Sequence, residues 1–277
     1  MPDRVIRKLN LYKTYAVSWY EQRAYLKTLQ KKSYDYETLF AILAELTGTT
    51  PEIISGYYQE MHDDKVFSLI ESTIRNIPDL QHHTYDGYDV IQQIGIEKYV
   101  RIDRTALYCI VRAKKPEIFV ETGTRWGIGA CFILAAMEKN GGGHLYSFDI
   151  GINKIPGDEY FWPKNHQQLG FMVPQHLRHR YTIIEGDAKL TLPNFLSDIQ
   201  PKVDIFYHDS LHTYEHMNFE FTTIRPHMAA NGLLISEDTN HNDAWSDFIK
   251  QTPYKLETGY CSHLGIFEDR EVRAIAL

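Results

Sequence analysis

Apolar side chains recur at three- and four-residue intervals through the first hundred residues, which is the spacing of an amphipathic helix. One such face consists of Val5, Leu9, Tyr12, Ala16, Trp19 and Leu26. Tyr36 to Leu46 predicts a second helix. Thr50 followed by Pro51 predicts the N-cap and first turn of a third helix, which runs to about Asn76. The pattern therefore predicts an α-helical N-terminal region.

From Glu117 onward the pattern changes to short apolar runs that alternate with helical stretches. The predicted strands are Ile118 to Val120, His144 to Ile150, Tyr181 to Glu185, Val203 to Tyr207 and Gly232 to Ser236. Two of the predicted helices are Trp126 to Asn140 and the segment in which Tyr214, Met217, Phe221 and Ile224 keep a helical spacing. Strands alternating with helices indicate βαβ crossovers and a mostly parallel sheet.

These patterns predict an α/β fold with a Rossmann-like sheet and a helical N-terminal accessory region. Tyr254 to Tyr260 and Leu264 to Phe267 are predicted to pair as a closing antiparallel hairpin. We place the boundary near residue 100. Residues 1–100 are predicted to form an accessory, lid or oligomerisation region, and residues 101–277 the domain that binds the ligand.

Composition narrows the classes of function. The 29 basic and 36 acidic residues give a net charge of −7 without a basic stripe, which argues against a nucleic-acid partner. No run is long and apolar enough to cross a membrane, and the three cysteines, Cys109, Cys131 and Cys261, fit neither a disulfide framework nor a zinc site. We expect a soluble cytoplasmic protein that has no membrane partner.

A glycine-containing turn follows the first predicted strand, in the order Glu121-Thr122-Gly123-Thr124-Arg125-Trp126-Gly127. Glycines let a backbone approach a ligand closely, and the N-terminus of the next helix favours an anionic group such as a carboxylate. The turn differs from the dinucleotide-binding fingerprint because Arg125 occupies the second glycine position. It also lacks the Gly-Lys-Ser/Thr of a phosphate loop.

Acidic residues stand at or just after the ends of four successive predicted strands: Glu121, Asp149, Asp187 and Asp209. In open α/β sheets, ligands bind beyond the carboxyl ends of the strands, where an acid can accept hydrogen bonds from both ribose hydroxyls. Each acid alone is also compatible with a helix N-cap, and Asp187 is the best candidate for that role. Together they favour a nucleoside-like cofactor.

The order of these motifs resembles the small-molecule class I S-adenosylmethionine methyltransferases, in particular the group with macrolide-sugar O-methyltransferases and cephalosporin-hydroxylase-like proteins. The resemblance covers about Glu117 to Asp238. It implies a cofactor site whose members are Glu121, Gly123, Thr124 and Gly127 at the methionine end, Asp149 at the ribose, and Asp187 with Ala188 at the adenine. One departure is Gly129, where such proteins often have serine, which puts a carboxylate contact there in doubt.

Methyl transfer needs an aligned and deprotonated acceptor. His212 lies three residues after Asp209 in a predicted loop, and the macrolide-sugar relatives imply that a histidine at this offset is the base. The alternative is a histidine that caps the next helix.

Carboxylates at neighbouring strand ends also suggest a metal. Asp209, Glu237 and Asp238 are three hard oxygen ligands without a thiolate, which favours Mg²⁺ over zinc, and the resemblance implies the same three ligands. A metal there would orient vicinal hydroxyls and lower their pKa. In the alternative, Asp209 touches the cofactor while Glu237 and Asp238 only cap the following helix.

The sequence thus predicts a methyltransferase that acts on a hydroxyl of a small molecule, such as a sugar or natural product. The resemblance implies that it works as a homo-oligomer. Two other classes stay open: a nicotinamide-dependent oxidoreductase, and a non-catalytic cofactor-binding or assembly protein. An iron site built on His208, Asp209 and His212 is disfavoured, because adjacent residues of a strand point to opposite faces.

Overall fold

The computed structural model describes residues 36–65, 68–69, 72, 102–152, 154, 168–200, 202–237, 239, 242–250, 255–260 and 271–276. The predicted helical face from Val5 to Leu26 lies outside these residues, as does the predicted helix end near Asn76.

The helices have the following bounds: α1 (Tyr36–Thr47), α2 (Pro51–Asp63), α3 (Ile102–Lys114), α4 (Ile128–Asn140), α5 (Ala188–Asp198), α6 (Tyr214–Ile224) and α7 (Ala244–Lys250). The strands are β1 (Ile118–Thr122), β2 (His144–Asp149), β3 (Tyr181–Glu185), β4 (Val203–His208), β5 (Met228–Ser236), β6 (Lys255–Tyr260) and β7 (Glu271–Ala276). Short 3-10 turns precede β3 and β5 at Gln175–Arg180 and Arg225–His227.

The strands form one sheet in the order β3-β2-β1-β4-β5-β7-β6. The first five strands of this order pair in parallel, which confirms the predicted Rossmann-like α/β fold. β7 pairs antiparallel with β5 and with β6. Leu264 to Phe267, which was expected to pair with the Tyr254 to Tyr260 segment, lies outside the described residues.

Local sequence explains why the central elements form where they do. Every residue of β1 is buried, as expected of a central parallel strand with helices on both faces. α4 begins after Gly127 and ends before Gly141, both in the left-handed conformation that glycine adopts at little cost. On α6, the predicted apolar spacing is confirmed at three of its four positions: Met217, Phe221 and Ile224 are fully buried against the sheet, whereas Tyr214 is 40% exposed.

The two faces of the sheet are covered by different helices. α5, α6 and α7 pack on one face, and α3 and α4 on the other. α1 and α2 pack on α3, so their buried side chains belong to the same apolar cluster as α4 and the sheet. The guanidinium of Arg112 on α3 donates to the Glu60 carboxylate of α2 at 2.6 Å, and the Tyr108 hydroxyl donates to it at 2.8 Å.

Among the parts of the chain that the structure describes, no helix has both the length and the apolar character needed to cross a membrane.

Candidate active site

The polar residues at the carboxyl edge of the sheet divide between its two faces. Glu121 is in register with Ser147 on β2 and with Tyr207 on β4, and in-register residues of parallel strands share a face. Asp149 and Asp209 follow Ser147 and Tyr207 by two positions, so they extend the same row. The predicted acids Glu121, Asp149 and Asp209 therefore lie along one edge and on the α4 side of the sheet. We call these three residues the acidic row.

Glu121 is the most deeply buried acid of this row, with 2% of its surface exposed. Ser147 Oγ donates to Glu121 Oε2 at 2.5 Å. Burial raises the pKa of Glu121 to about 7, and the nearby charges of Asp149 and Glu237 act in the same direction. A cationic ligand bound beside Glu121 would lower this pKa, because an opposite charge favours the ionised carboxylate.

The glycines of the turn make room for protein backbone. A Cβ on Gly123 would lie 2.0 Å from the carbonyl oxygen of Asp209, and one on Gly127 would lie 2.8 Å from Gly170 Cα. Both glycines have positive φ angles, of 87° and 84°. At Gly129, a Cβ would meet Glu121 Oε1 at an ordinary 3.5 Å, so this glycine is not required by a close contact.

Asp149 is oriented by two backbone donors. The N–H of Arg125 donates to Oδ2 at 2.8 Å, and the N–H of Gly151 donates to Oδ1 at 3.0 Å. Arg125 adopts a positive φ of 45°, which is uncommon for a residue with a side chain and brings its N–H to the carboxylate. Carboxylate oxygens only accept hydrogen bonds, which is the chemistry that the two hydroxyls of a ribose require of their partner.

Asp187 caps α5. Its Oδ1 accepts from Lys189 N at 2.9 Å, and Ala188 is the first residue of the helix. The geometry is therefore that of the N-cap which the sequence offered as the alternative to an adenine contact. The contact of Asp187 and Ala188 with adenine stays a prediction.

Tyr207 connects the two described acids of the predicted metal site. Its hydroxyl donates a short hydrogen bond to Glu237 Oε1 and lies 3.5 Å from Asp209 Oδ2. Asp238 lies outside the described residues, and among those described no three His, Cys, Asp or Glu side chains are grouped as a metal site. Tyr207 was missed by sequence reasoning, although its position two residues before Asp209 on a strand places both on one face.

His212 lies in the loop between β4 and α6, with its ring 5.2 Å from that of His208 in an edge-to-face contact. Its Nε2 is buried, and the Asn242 side-chain amide donates to its backbone carbonyl at 3.2 Å. The N-cap of α6 is Thr213, whose hydroxyl accepts from His216 N at 3.4 Å. The alternative in which His212 caps that helix is therefore wrong.

His208 points to the opposite face from Asp209, as the strand alternation predicted. Its side chain is fully buried, and Nδ1 is 2.6 Å from Glu220 Oε2 on α6. Because His208 faces α6 while Asp209 faces the Tyr207 hydroxyl, these two residues do not converge on one metal ion.

Residues 120–239 match a family described as "Methyltransferase domain". This match confirms the resemblance to methyltransferases over the part of the chain that carries the acidic row. No curated protein matches the chain.

Several solved structures are similar in fold. An SAH-bound methyltransferase, PaMTH1, of Podospora anserina is 16% identical, with 76% of this chain and 87% of that chain covered and a TM-score of 0.46. An O-methyltransferase of Bacillus cereus in complex with SAH is 12% identical, with 78% and 92% covered and a TM-score of 0.47. CalS11, a calicheamicin methyltransferase, is 17% identical, with 76% and 91% covered and a TM-score of 0.45. These identities and TM-scores are low, so the solved structures show a likeness of fold alone.

Proposed function

We infer that this chain, which carries a domain of the methyltransferase family over residues 120–239, transfers the methyl group of S-adenosylmethionine to a hydroxyl of a small molecule. The observation that carries this proposal is the row of carboxylates on one face of the sheet edge, in which the buried Glu121 has a pKa raised to about 7.

The acidic row suits a cofactor with a nucleoside at one end and positive charge at the other. S-adenosylmethionine would supply an electrophilic methyl group on a sulfonium. Glu121, beside the glycine turn, would pair with the cationic methionine end, and Gly123, Thr124 and Gly127 would shape that end of the site. Asp149, held by two N–H donors, would accept from the ribose hydroxyls, while Asp187 and Ala188 would meet the adenine.

Proton removal from the acceptor is assigned to His212, and Asp209, three residues earlier in the chain, is proposed to orient the acceptor hydroxyl. Both residues belong to the segment that joins β4 to α6, next to the predicted methionine end. Leu211 and Tyr214 flank His212 and are 53% and 40% exposed, which supplies apolar surface for the body of a small acceptor. A sugar or natural product with a free hydroxyl would fit this chemistry.

A magnesium ion is proposed as an aid to deprotonation, with Asp209, Glu237 and Asp238 as its ligands. The donor set suits a hard cation because all three ligands are carboxylates. The Tyr207 hydroxyl contacts both Asp209 and Glu237, so these two carboxylates lie close together. Bound there, the ion would lower the pKa of a coordinated hydroxyl.

The helical region over residues 1–100 is proposed to contribute a lid or an oligomer contact, and a homo-oligomer is the proposed assembly.

A cytoplasmic location is also proposed. Cys109 and Cys131 are buried free thiols whose pKa values burial raises, which agrees with a reducing compartment such as the cytoplasm.

Calorimetric titration with S-adenosylhomocysteine and with NAD tests the cofactor class. We expect binding of the former only, and Asp149→Ala should weaken it by about 10- to 100-fold, since hydrogen bonds to charged groups contribute about 1.5–3 kcal/mol. Preferential NAD binding would overturn the proposal in favour of an oxidoreductase. Binding without methyl transfer to any of a broad set of hydroxylated acceptors would identify a non-catalytic binding protein.

A further inference from the structure

A buried polar cluster lies on the α6 side of the sheet, directly beneath the acidic row. It consists of Thr122, His208, Ser210, His216 and Glu220, which we call the Glu220 cluster. Its central residue, Glu220 of α6, is fully buried. Neither the predicted cofactor contacts nor the predicted metal ligands include any of its five members.

The Glu220 carboxylate accepts four hydrogen bonds, two on each oxygen. Oε2 accepts from Thr122 Oγ1 at 2.7 Å and from His208 Nδ1 at 2.6 Å. Oε1 accepts from Ser210 Oγ at 2.9 Å and from His216 Nε2 at 2.8 Å. A carboxylate has about four acceptor positions, so all are used and its orientation is fixed from both sides.

The carboxylate is ionised although it is buried. Burial acts to raise its pKa, but the hydrogen bonds and charges of His208 and His216 outweigh burial and hold the pKa of Glu220 at about 2. Hydrogen bonds to an ionised acceptor are the stronger class, so the cluster is a rigid support.

Two residues held by Glu220 accept backbone hydrogen bonds from the acids Asp209 and Glu237. Thr122, whose side chain donates to Glu220, accepts at its backbone oxygen from Asp209 N at 3.0 Å. His208, also bonded to Glu220, accepts at its backbone oxygen from Glu237 N at 3.0 Å. His208 and Ser210 are the residues immediately before and after Asp209, so both chain neighbours of Asp209 are bonded to one carboxylate.

We propose that Glu220 is a positioning residue that holds Asp209, Glu237 and the loop to His212 in the arrangement methyl transfer requires. This inference rests on the proposed function. Glu220 is buried under the sheet edge, on the face opposite the predicted cofactor contacts Glu121 and Asp149. It acts through Thr122, His208 and Ser210, whereas Glu121 and Asp149 at the cofactor end have other hydrogen-bond partners.

Loss of the carboxylate therefore affects turnover more than cofactor affinity. Glu220→Ala leaves four donors without their acceptor and frees both neighbours of Asp209, and a displacement of about 1 Å at a reacting centre costs about 100-fold in rate. Glu220→Gln keeps one acceptor oxygen, so it should restore part of the rate. The matched control is Glu60→Gln, which removes a carboxylate bonded to Arg112 and Tyr108 on the helical side of the molecule.

The experiment compares the three variants with the wild-type chain at temperatures equally far below each melting temperature. For Glu220→Ala we expect kcat to fall by about 100-fold, while Kd for S-adenosylhomocysteine stays within about threefold. The kcat of Glu220→Gln should lie between those of Glu220→Ala and the wild type, and Glu60→Gln should have the kcat of the wild type. Equal losses in kcat for Glu220→Ala and Glu60→Gln would overturn the proposal, as would a parallel loss of cofactor affinity.

Hydrogen–deuterium exchange supplies a readout that does not depend on activity. Backbone amides over residues 207–213 should exchange about tenfold faster or more in Glu220→Ala than in the wild type, and should be unchanged in Glu60→Gln. Unchanged exchange there in Glu220→Ala overturns the positioning role, whether or not the wild-type chain transfers methyl groups. A wild-type chain that neither binds S-adenosylhomocysteine nor methylates any acceptor overturns the proposed function instead. If Glu220→Ala does not fold, Glu220→Gln gives the same exchange comparison with a smaller expected increase.

Discussion

At the scale of single residues, the environment of Glu121 determines its charge. In the unfolded chain its pKa would have the ordinary value of 4.5, and in the folded protein burial raises the pKa to about 7. The folded state therefore holds this proton more tightly. The stability associated with Glu121 is fully present below pH 4.5, falls as the pH rises to about 7, and is level above that.

Glu121→Gln removes this titration and keeps an acceptor for Ser147. We expect the free energy of unfolding of Glu121→Gln, relative to the wild type, to increase between pH 5 and pH 8 by about 3 kcal/mol at most. Denaturant titrations at several pH values measure it. Glu138→Gln is the control, because Glu138 is an exposed carboxyl whose pKa is lowered by its hydrogen bond with Arg180. A stability difference that does not vary with pH would mean that Glu121 is ionised throughout.

His212 is the residue on which the chemical step depends in the proposed function. His212→Ala should lower kcat by about 10²- to 10⁴-fold, the range for loss of a general base, with Kd for S-adenosylhomocysteine nearly unchanged. His179→Ala is the control, since the side chain of His179 is 55% exposed and lies in the turn before β3. Full turnover of His212→Ala at neutral pH would remove His212 from proton transfer.

At the scale of elements, the turn between β1 and α4 depends on a close approach of the β4–α6 segment. Gly123→Ala would place a Cβ 2.0 Å from the Asp209 carbonyl oxygen at a φ of 87°. The left-handed conformation costs about 1–2 kcal/mol for alanine and overpacking a further 1–3 kcal/mol. We expect the free energy of unfolding to fall by about 3 kcal/mol or more, and cofactor binding to become weaker.

Gly141→Ala is the matched control for this prediction. Gly141 has a similar φ of 72°, but a Cβ added there would have no atom within 4 Å. Gly141→Ala should lower the free energy of unfolding only by the cost of the left-handed conformation, about 1–2 kcal/mol. Thermal melts that show equal losses for the two variants would mean that the contact with Asp209 is unimportant.

The neighbouring ends of β4 and β5 are the elements that would share a metal. EDTA should abolish methyl transfer and added Mg²⁺ should restore it, because Asp209 and Glu237 come from these adjacent ends and supply hard oxygen donors. Turnover that is indifferent to the chelator would leave the acids, with the Tyr207 hydroxyl between them, in a structural role.

Element prediction succeeded where a local pattern was sufficient. β3 was predicted with its observed bounds, and the spacing from Tyr214 to Ile224 matches α6. β5 was predicted four residues too short at its start, because Met228 to Asn231 includes two exposed residues and lacks a continuous apolar run. The N-cap at Asp187 was weighed from its position before a helix, but its geometry needed the structure.

At the scale of the whole molecule, the described N-terminal helices and the α/β part share one apolar core. Leu43 of α1 is 3% exposed and belongs to the cluster that contains Phe132 of α4. Leu43→Ala should destabilise the chain by about 2–5 kcal/mol and shift a single calorimetric transition. Ile53→Ala, at a position 44% exposed, should have little effect. A second transition that keeps the wild-type temperature would show that the two parts unfold independently.

The sequence alone determined the alternation of strands and helices, because it follows from periodicities of a few residues. With the strands predicted, it also placed acids near the ends of four successive strands. It also determined that His208 and Asp209 face apart. Only the tertiary structure decided that Tyr207 bridges Asp209 and Glu237, and that Glu220 accepts from Thr122, 98 residues away along the chain. These contacts depend on strand order and helix docking, which join distant residues and leave no local pattern in the sequence.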